Sequence, residues 1–225
     1  MERIGQKDNF IAKHAKIATV VAVIFGSTSG ILGNLITAPA LAIGFWRLAI
    51  ALPFFIIPAV ADREKRHKLK GISKKDYILC FISGAFLFGH YFSWFNAVKL
   101  TNVASASVLA ALHPLVVLLV TVFVYRRKVS LRSVLAIIVA LLGGVLIMGA
   151  DYSTFAGGNI TGNIFAFFAA VFMGLYFAMG DEVRKRVDGG LYVLMVFASC
   201  WICFIIGNIA SGTELLGYRT MDYVY

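Results

Sequence analysis

Residues 40–75 read ALAIGFWRLAIALPFFIIPAV followed by ADREKRHKLKGISKK. The first part is an apolar run of about 20 residues, the length at which a helix crosses the hydrocarbon core of a bilayer. The second part holds seven of the chain's 21 Lys and Arg residues. Because basic residues beside a span mark its cytoplasmic side, the stretch predicts a transmembrane helix whose C-terminal end faces the cytoplasm.

The same alternation runs through the whole chain. Seven apolar stretches follow one another, and 18 of the 21 Lys and Arg residues lie in every second gap between them. The basic gaps are residues 1–16, 61–75, 125–132 and 181–190. The other three cations are Arg47 inside a span, and Lys99 and Arg219 in the opposite gaps. The predicted spans are residues 17–36, 40–60, 77–97, 103–124, 133–150, 160–180 and 191–209.

The composition also indicates a membrane protein. Hydrophobic residues make up 60% of the chain and charged residues 14%, with a mean hydropathy of +0.85, which excludes an ordinary soluble domain. The spans lack the alternating polarity of barrel strands, so we predict an all-α polytopic bundle in the cell membrane, with a cytoplasmic N-terminus. The net charge of +10 lies beside span ends, so the expected partner is the lipid bilayer and not nucleic acid. The pattern leaves a homo-oligomer open.

An internal repeat appears when the chain is aligned with itself at an offset of 146 to 148 positions. The aligned residues are Ala22, Val23, Gly26 and Gly30 with Ala170, Val171, Gly174 and Ala178, and Asp76 and Tyr77 with Asp222 and Tyr223. An offset of five helices inverts the second unit relative to the first, as in many secondary transporters. We predict a cytoplasmic segment at 1–16, a complete five-helix repeat at 17–150 and the start of a second at 160–225. Since only two helices of the second repeat are found, we expect it to be truncated.

Small residues at helix-packing spacing predict close contacts between helices, because lipid offers no hydrophobic drive for helix association. The pairs are Gly26 with Gly30, Ala106 with Ala110, and Ala140 with Gly144. In the fourth span, Pro114 predicts a kink, since its ring and missing amide release the carbonyl of Ala110.

Two stretches carry a family resemblance: residues 44–50, GFWRLAI, and the run from Asn96-Ala97-Val98 through Thr101, Ala104, Ser105, Ser107 and Pro114. With them the chain resembles the EamA-type permeases of the drug/metabolite transporter superfamily, whose members carry two five-helix repeats. The family commonly has an Arg early in the second helix and a Pro within the fourth, matched by Arg47 and Pro114. It usually has a Glu just past the fourth helix, where this chain reads YRRK at 125–128. The resemblance implies export of small metabolites or amphipathic compounds.

The chain offers little for catalysis. All 11 Asp and Glu residues lie in loops or at helix ends. There is no acid pair, no cluster of metal ligands and no Gly-rich phosphate loop with its lysine. Cys200 and Cys203 form a C-x-x-C inside a span, and we interpret them as small hydrophobes because a zinc site needs four ligands. We therefore expect no catalytic residue, metal site, cofactor or enzymatic activity.

Arg47 is the most informative polar residue, because a guanidinium near mid-bilayer costs at least about 2.5 to 3.5 kcal/mol unless it faces protein, water or an anion. Counting about 1.5 Å per residue from the cytoplasmic boundary places polar residues of four helices in one layer, about 15 to 20 Å deep. They are Arg47, His90, His113, Ser27 and Thr28. We predict that they line a midplane substrate cavity, with Tyr176 as a further contact at a gate. A structural guanidinium and neutral imidazoles bonded inside the bundle stay open as alternatives.

The leading hypothesis is a secondary transporter that exports small compounds by alternating access around this cavity. The alternative is a truncated remnant of such a transporter, without transport activity. A membrane-embedded enzyme or lipid-handling protein is a third class; it would need a nucleophile, which only Ser27 or Thr28 offers in that layer.

Overall fold

The computed structural model describes residues 30–149 and 159–219, together with positions 17, 20, 21, 24, 28 and 222. Throughout these residues the regular structure is helical and no strand occurs. The helices are α1, described at positions 17, 20, 21, 24, 28 and 30–35; α2, Ala40–Ala61; α3, Arg63–Lys70; α4, Lys74–Leu100; α5, Val103–Ala110; α6, His113–Leu119, which continues as a π-helical turn, Val120–Val124; α7, Leu131–Gly149; α8, Ile160–Val183; and α9, Gly189–Ser211.

Five helical stretches of the described chain are long and apolar enough to cross a membrane. They are α2, α4, Val103–Val124, α8 and α9. Helix α7 forms at the fifth predicted span, with a shorter apolar stretch at Leu131–Gly143, and eight of the 20 residues of the first predicted span lie outside the described residues. The observed ends fall within about three residues of the predicted ones. The prediction of an all-α, polytopic membrane bundle is confirmed.

Short connections make successive spans antiparallel, so helix ends gather at two faces of the bundle. At one face, Gly162 at the start of α8 lies against Leu100 and Thr101 at the end of α4. At the other face, α3 and the loops after the π-helical turn and after α8 carry most of the cations. We call these faces the outer end and the basic end, following the predicted orientation.

The basic loop after α2 contains a helix that hydrophobic periodicity does not predict. Helix α3 begins after Asp62, whose carboxylate accepts hydrogen bonds from the amides of Glu64 and Lys65. Glu64 and Lys68 then form an i,i+4 ion pair of 2.7 Å. Capping and i,i+4 pairing stabilise a polar helix that has no apolar face, which is why hydrophobic periodicity did not reveal it.

The fourth span is interrupted where the kink was predicted. Helix α5 ends at Ala110 and α6 begins at His113, with Pro114 in its first turn. The carbonyl oxygen of Ala110, which the proline leaves without its usual partner, lies 3.1 Å from His113 Nδ1. The span is therefore two short helices that meet inside the membrane.

Helix α4 occupies the centre of the bundle, packed between α8 and α9. A Cβ atom on Gly84 would lie 2.5 Å from the Cβ of Ser199, so α4 and α9 are in backbone contact there. The ring of fully buried Phe204 covers Gly44 and meets Phe88 with a centroid distance of 4.7 Å. Helices α2, α4, α8 and α9 thus form a tightly packed core.

Two of the predicted small-residue faces bear on this core, and one does not. Gly30 is buried against Trp94, and Ala106 is fully buried. Ala140, by contrast, is exposed and borders a gap of about 270 Å³ between α7 and the α5–α6 pair. The prediction that the Ala140 face packs closely is wrong in this structure, because the opposing helices leave that space unfilled.

Ion pairs tie loops together at the basic end. Arg127 pairs with Asp181 at 3.3 Å and also with Glu182, joining the loop after the π-helical turn to α8. Asp76 at the start of α4 accepts from Nε and Nη2 of Arg186 at 3.0 and 2.9 Å. The loop between α8 and α9 is thereby attached to α4.

Candidate substrate site

A cavity of about 350 Å³ lies in the outer half of the bundle, between α1, α2, the end of α4 and the segment after α9. Its volume is in the range of small-molecule sites. Polar lining comes from Thr28, Trp46, Arg47, Tyr218 and Asp222, whereas the remaining wall is apolar. The cavity can therefore enclose an apolar body and present a few polar groups to it.

Arg47 supplies the positive charge in this lining. Its Cζ lies 5.2 Å from the centre of the Tyr91 ring on α4, a cation–π arrangement. Thr28 on α1 lines the same cavity, so the structure brings together two of the predicted site residues. Ser27 lies outside the described residues. The guanidinium thus combines a cavity wall with an aromatic neighbour, an arrangement that suits an anionic or polarised ligand group.

The segment after α9 covers the outer side of the cavity. Trp46 Nε1 donates a 2.8 Å hydrogen bond to the carbonyl oxygen of Leu215. The amide and the hydroxyl of Thr37 donate to the two carboxylate oxygens of Asp222 at 3.0 and 2.5 Å. These bonds, the side-chain one foremost, lower the pKa of Asp222 and keep it ionised. The segment is therefore held to α2 at Leu215 and to the α1–α2 loop at Asp222.

Lys99 is one of the two cations found in a non-basic gap, and the structure explains its place. At the end of α4, its ammonium donates to the carbonyl oxygen of Ala38 in the α1–α2 loop. The long side chain thus reaches back along the outer end and satisfies a loop carbonyl. This contact fixes the loop beside Thr37.

His90 lies next to the cavity region and bonds to the bundle. Its Nδ1 is 2.9 Å from the carbonyl oxygen of Ala169 on α8, and its ring centre is 5.4 Å from that of Tyr91. His90 is thus linked to Arg47 through Tyr91 and does not itself line the cavity. Its place fits the alternative of an imidazole bonded inside the bundle.

His113 and Tyr176 lie elsewhere. The ring centre of His113 is 5.5 Å from that of Phe177, and both residues border a separate groove of about 370 Å³ between α6, α7 and α8. Tyr176 stacks on Tyr192, with ring centres 6.5 Å apart and planes at 19°. The polar residues that the sequence places at one depth therefore lie on two different sides of α8.

Tyrosine side chains continue from the level of Arg47 toward the basic end of the bundle. Tyr192 belongs to a buried cluster, and Tyr91 and Tyr176 pack against it. The Tyr192 hydroxyl is 2.6 Å from Ser83 Oγ, and Arg184 Cζ lies 5.9 Å from the Tyr192 ring centre. A column of tyrosines thus runs from Arg47 toward Arg184.

Among the residues that the structure describes, no group of three or more His, Cys, Asp or Glu side chains is placed to hold a metal ion. Three polar residues of the cavity lining were missed by sequence reasoning: Trp46, Tyr218 and Asp222. One signal pointed to the last of them, since Asp222 aligns with Asp76 in the internal repeat that the sequence predicts.

Comparison with known proteins agrees with this architecture. Residues 15–149 match the EamA-like transporter family. The chain is 30% identical over 186 residues to the uncharacterized transporter YxxF of Bacillus subtilis (strain 168), covering 80% of this chain and 59% of that relative's length. A protein of known crystal structure shares the fold with a TM-score of 0.68 at 18% identity, covering 94% of this chain and 72% of that one. The chain is a member of the EamA-like transporter family.

Proposed function

We propose that this protein is a secondary transporter that binds a small organic compound in the cavity at Arg47. The observation that supports this proposal most strongly is the cavity. Its wall is apolar apart from the Arg47 guanidinium and a few other polar side chains. Secondary transporters hold their substrates near the middle of the membrane, where several helices meet. The apolar wall contacts the body of an amphipathic compound, and the Arg47 guanidinium donates hydrogen bonds to its polar or anionic group.

The difference between the two halves of this path supports a mechanism of alternating access. The outer half contains the cavity, and Tyr176 and Tyr192 fill the basic half, with Tyr91 beside Arg47 between the two. An alternating-access transporter exchanges between two states, and in one of them the outer half is open and the basic half is closed. In the other state the tyrosine column would open and the cavity would close. We propose that the repeats at 17–150 and 160–225 rock against each other to make this exchange, and that the net direction is export.

Flux measurements on the full chain in liposomes test the proposal. A panel of labelled organic anions, zwitterions and cations of similar size would be compared for the unchanged chain, Arg47→Ala and Arg66→Ala. Arg66 is an exposed cation of α3, so its loss controls for net charge. We expect Arg47→Ala to lower flux of the transported compound about tenfold or more, the effect of losing about 1.4 kcal/mol of binding. Equal flux in the two variants would make Arg47 a scaffold residue.

A second candidate is that the 225 residues have no transport activity by themselves. It is favoured by one observation, that the chain spans 59% of the length of its Bacillus relative. The same liposomes decide between the two. A folded chain that moves none of the compounds would support the second candidate, whereas flux above that of protein-free liposomes would remove it.

A further inference from the structure

We propose that two aspartate contacts, Asp76 with Arg186 and Asp222 with Thr37, are a pair of latches that close the basic end and the outer end of the transport path. This inference rests on the proposed function, because latches need a path that opens at each end in turn. It names the contacts that must break for each opening.

At the basic end, Asp76 is 7% exposed and is held by a charged partner from another part of the chain. Both Nε and Nη2 of Arg186 donate to its Oδ1, at 3.0 and 2.9 Å. Its Oδ2 accepts from Ser73 Oγ at 2.7 Å. The start of α4 is thereby bonded to the loop between α8 and α9, over the end of the tyrosine column.

At the outer end, Asp222 makes the corresponding connection. Its two oxygens accept from the amide and hydroxyl of Thr37, and Oδ2 also accepts from the Arg219 amide at 3.2 Å. The segment after α9 is thereby bonded to the loop between α1 and α2. Asp222 and Thr37 cover the cavity at the outer end, and Asp76 and Arg186 cover the tyrosine column at the basic end.

The two contacts are reciprocal in the internal repeat. Asp76 lies at the start of the third helix of the first repeat, and Asp222 aligns with it at an offset of 146 positions. Arg186 lies between the first two helices of the second repeat, and Thr37 between the first two helices of the first. Each aspartate therefore bonds to the same loop of the opposite repeat. A two-fold relation of this kind places one inter-repeat contact at each end of the membrane.

Rigid-body rocking changes such contacts in opposite ways. When the repeats separate at one end they approach at the other, so one latch must open while its counterpart holds. Local capping does not account for the Arg186 contact, because Ser73 already caps α4 by accepting from the Asp76 amide at 3.1 Å. Arg186→Gln therefore removes the basic latch and leaves the cap intact, and Thr37→Val removes the hydroxyl from the outer latch.

Thiol labelling of the full chain in liposomes tests the latches without any need for flux. The basic-end reporter is native Cys80, which is 1% exposed in the cluster that includes Val183 and Val187, in a background carrying Cys200→Ser and Cys203→Ser. The outer reporter is Thr28→Cys, in a background that also carries Cys80→Ser. A small, charged methanethiosulfonate reagent is the probe.

We expect Arg186→Gln to raise the labelling rate at Cys80 about fivefold or more and to lower the rate at Thr28→Cys, with Thr37→Val doing the reverse. Lys185→Gln and Thr213→Val, neighbours that touch neither aspartate, are the matched controls and should leave both rates unchanged. Rates that rise together at both reporters would show a loosened fold and overturn the proposal, as would rates equal to the controls. Arg186→Lys keeps a cation at that position and should give a smaller change of the same sign.

Flux separates this result from a failure of the proposed function. Opposite labelling shifts in a chain without flux would keep the latches and remove transport by this chain. Flux with no opposite shifts would keep the transporter and remove the latches.

Discussion

The core of α4, α8 and α9 and the side of the bundle at α7 use glycine in opposite ways. A Cβ on Gly174 of α8 would lie 2.4 Å from Val116 Cβ on α6, and one on Gly84 of α4 would lie 2.7 Å from the Val196 carbonyl oxygen on α9. On α7, nothing lies within 4 Å of such an atom on Gly143. Small residues in apolar helices therefore indicate close packing only where a partner helix is present at the same depth.

The largest expected effect is on the buried aromatic side chain that covers a core glycine. Phe204→Ala should lower the free energy of unfolding by about 3–5 kcal/mol, because it opens a cavity between α9 and Gly44. Phe123→Ala is the control, since Phe123 is 73% exposed at the π-helical turn. Thermal unfolding in detergent measures both, and a similar loss in the two variants would contradict the contrast between core and periphery.

Adding side-chain volume to a core glycine should have the next largest effect. Gly84→Val places methyl groups against Ser199 and the backbone of α9, and overpacking of this kind costs about 1–3 kcal/mol or more. The yield of folded protein and its unfolding temperature report the loss. If Gly84→Val were as stable as the unchanged chain, α4 and α9 would not be in backbone contact.

A smaller loss is expected from a hydrogen bond within the core. Tyr192→Phe removes the hydroxyl that lies 2.6 Å from Ser83 Oγ, and such bonds between membrane helices contribute about 0.6 kcal/mol on average. Tyr77→Phe is the matched change at the exposed basic end, where the hydroxyl donates to the Leu69 carbonyl oxygen. Urea or detergent titration should show a loss for Tyr192→Phe that exceeds the loss for Tyr77→Phe.

The smallest effect is expected on α7. Gly143→Ala meets no neighbouring atom and improves helix propensity, so stability should stay unchanged or rise by up to about 1 kcal/mol. The same unfolding assay checks it. Destabilisation would mean that α7 packs against a further surface at Gly143.

Much of the fold was accessible from sequence, because charge beside apolar runs determines where spans begin and end. The helices at Ala40–Ala61 and Gly189–Ser211 match their predicted spans closely. Helix α3 was missed because Asp62 and the Glu64–Lys68 pair stabilise it locally, without an apolar face. The gap beside Ala140 was not predicted, because the spacing of small residues on one helix does not determine how closely the opposing helix packs.

The site was predicted less completely, because counting residues gives depth and not rotation about the helix axis. Arg47 and Thr28 share both depth and direction, and they line one cavity. His113 shares the depth and faces the groove at Phe177. Asp222 lies outside every predicted span, and the hydrogen bonds that bring it to the cavity come from Thr37, 185 positions earlier.

The pairing of Arg127 with Asp181 and Glu182 has a consequence for biogenesis. During insertion the orientation of each hairpin is decided mainly by Lys and Arg, with little contribution from acidic residues, and Arg127 emerges about 50 residues before its partners. It therefore acts first as an unneutralised topological signal and only later as a tie between hairpins. Replacing Asp181 and Glu182 with Asn and Gln would leave the membrane orientation of each hairpin unchanged and would affect only the later packing of the hairpins against each other.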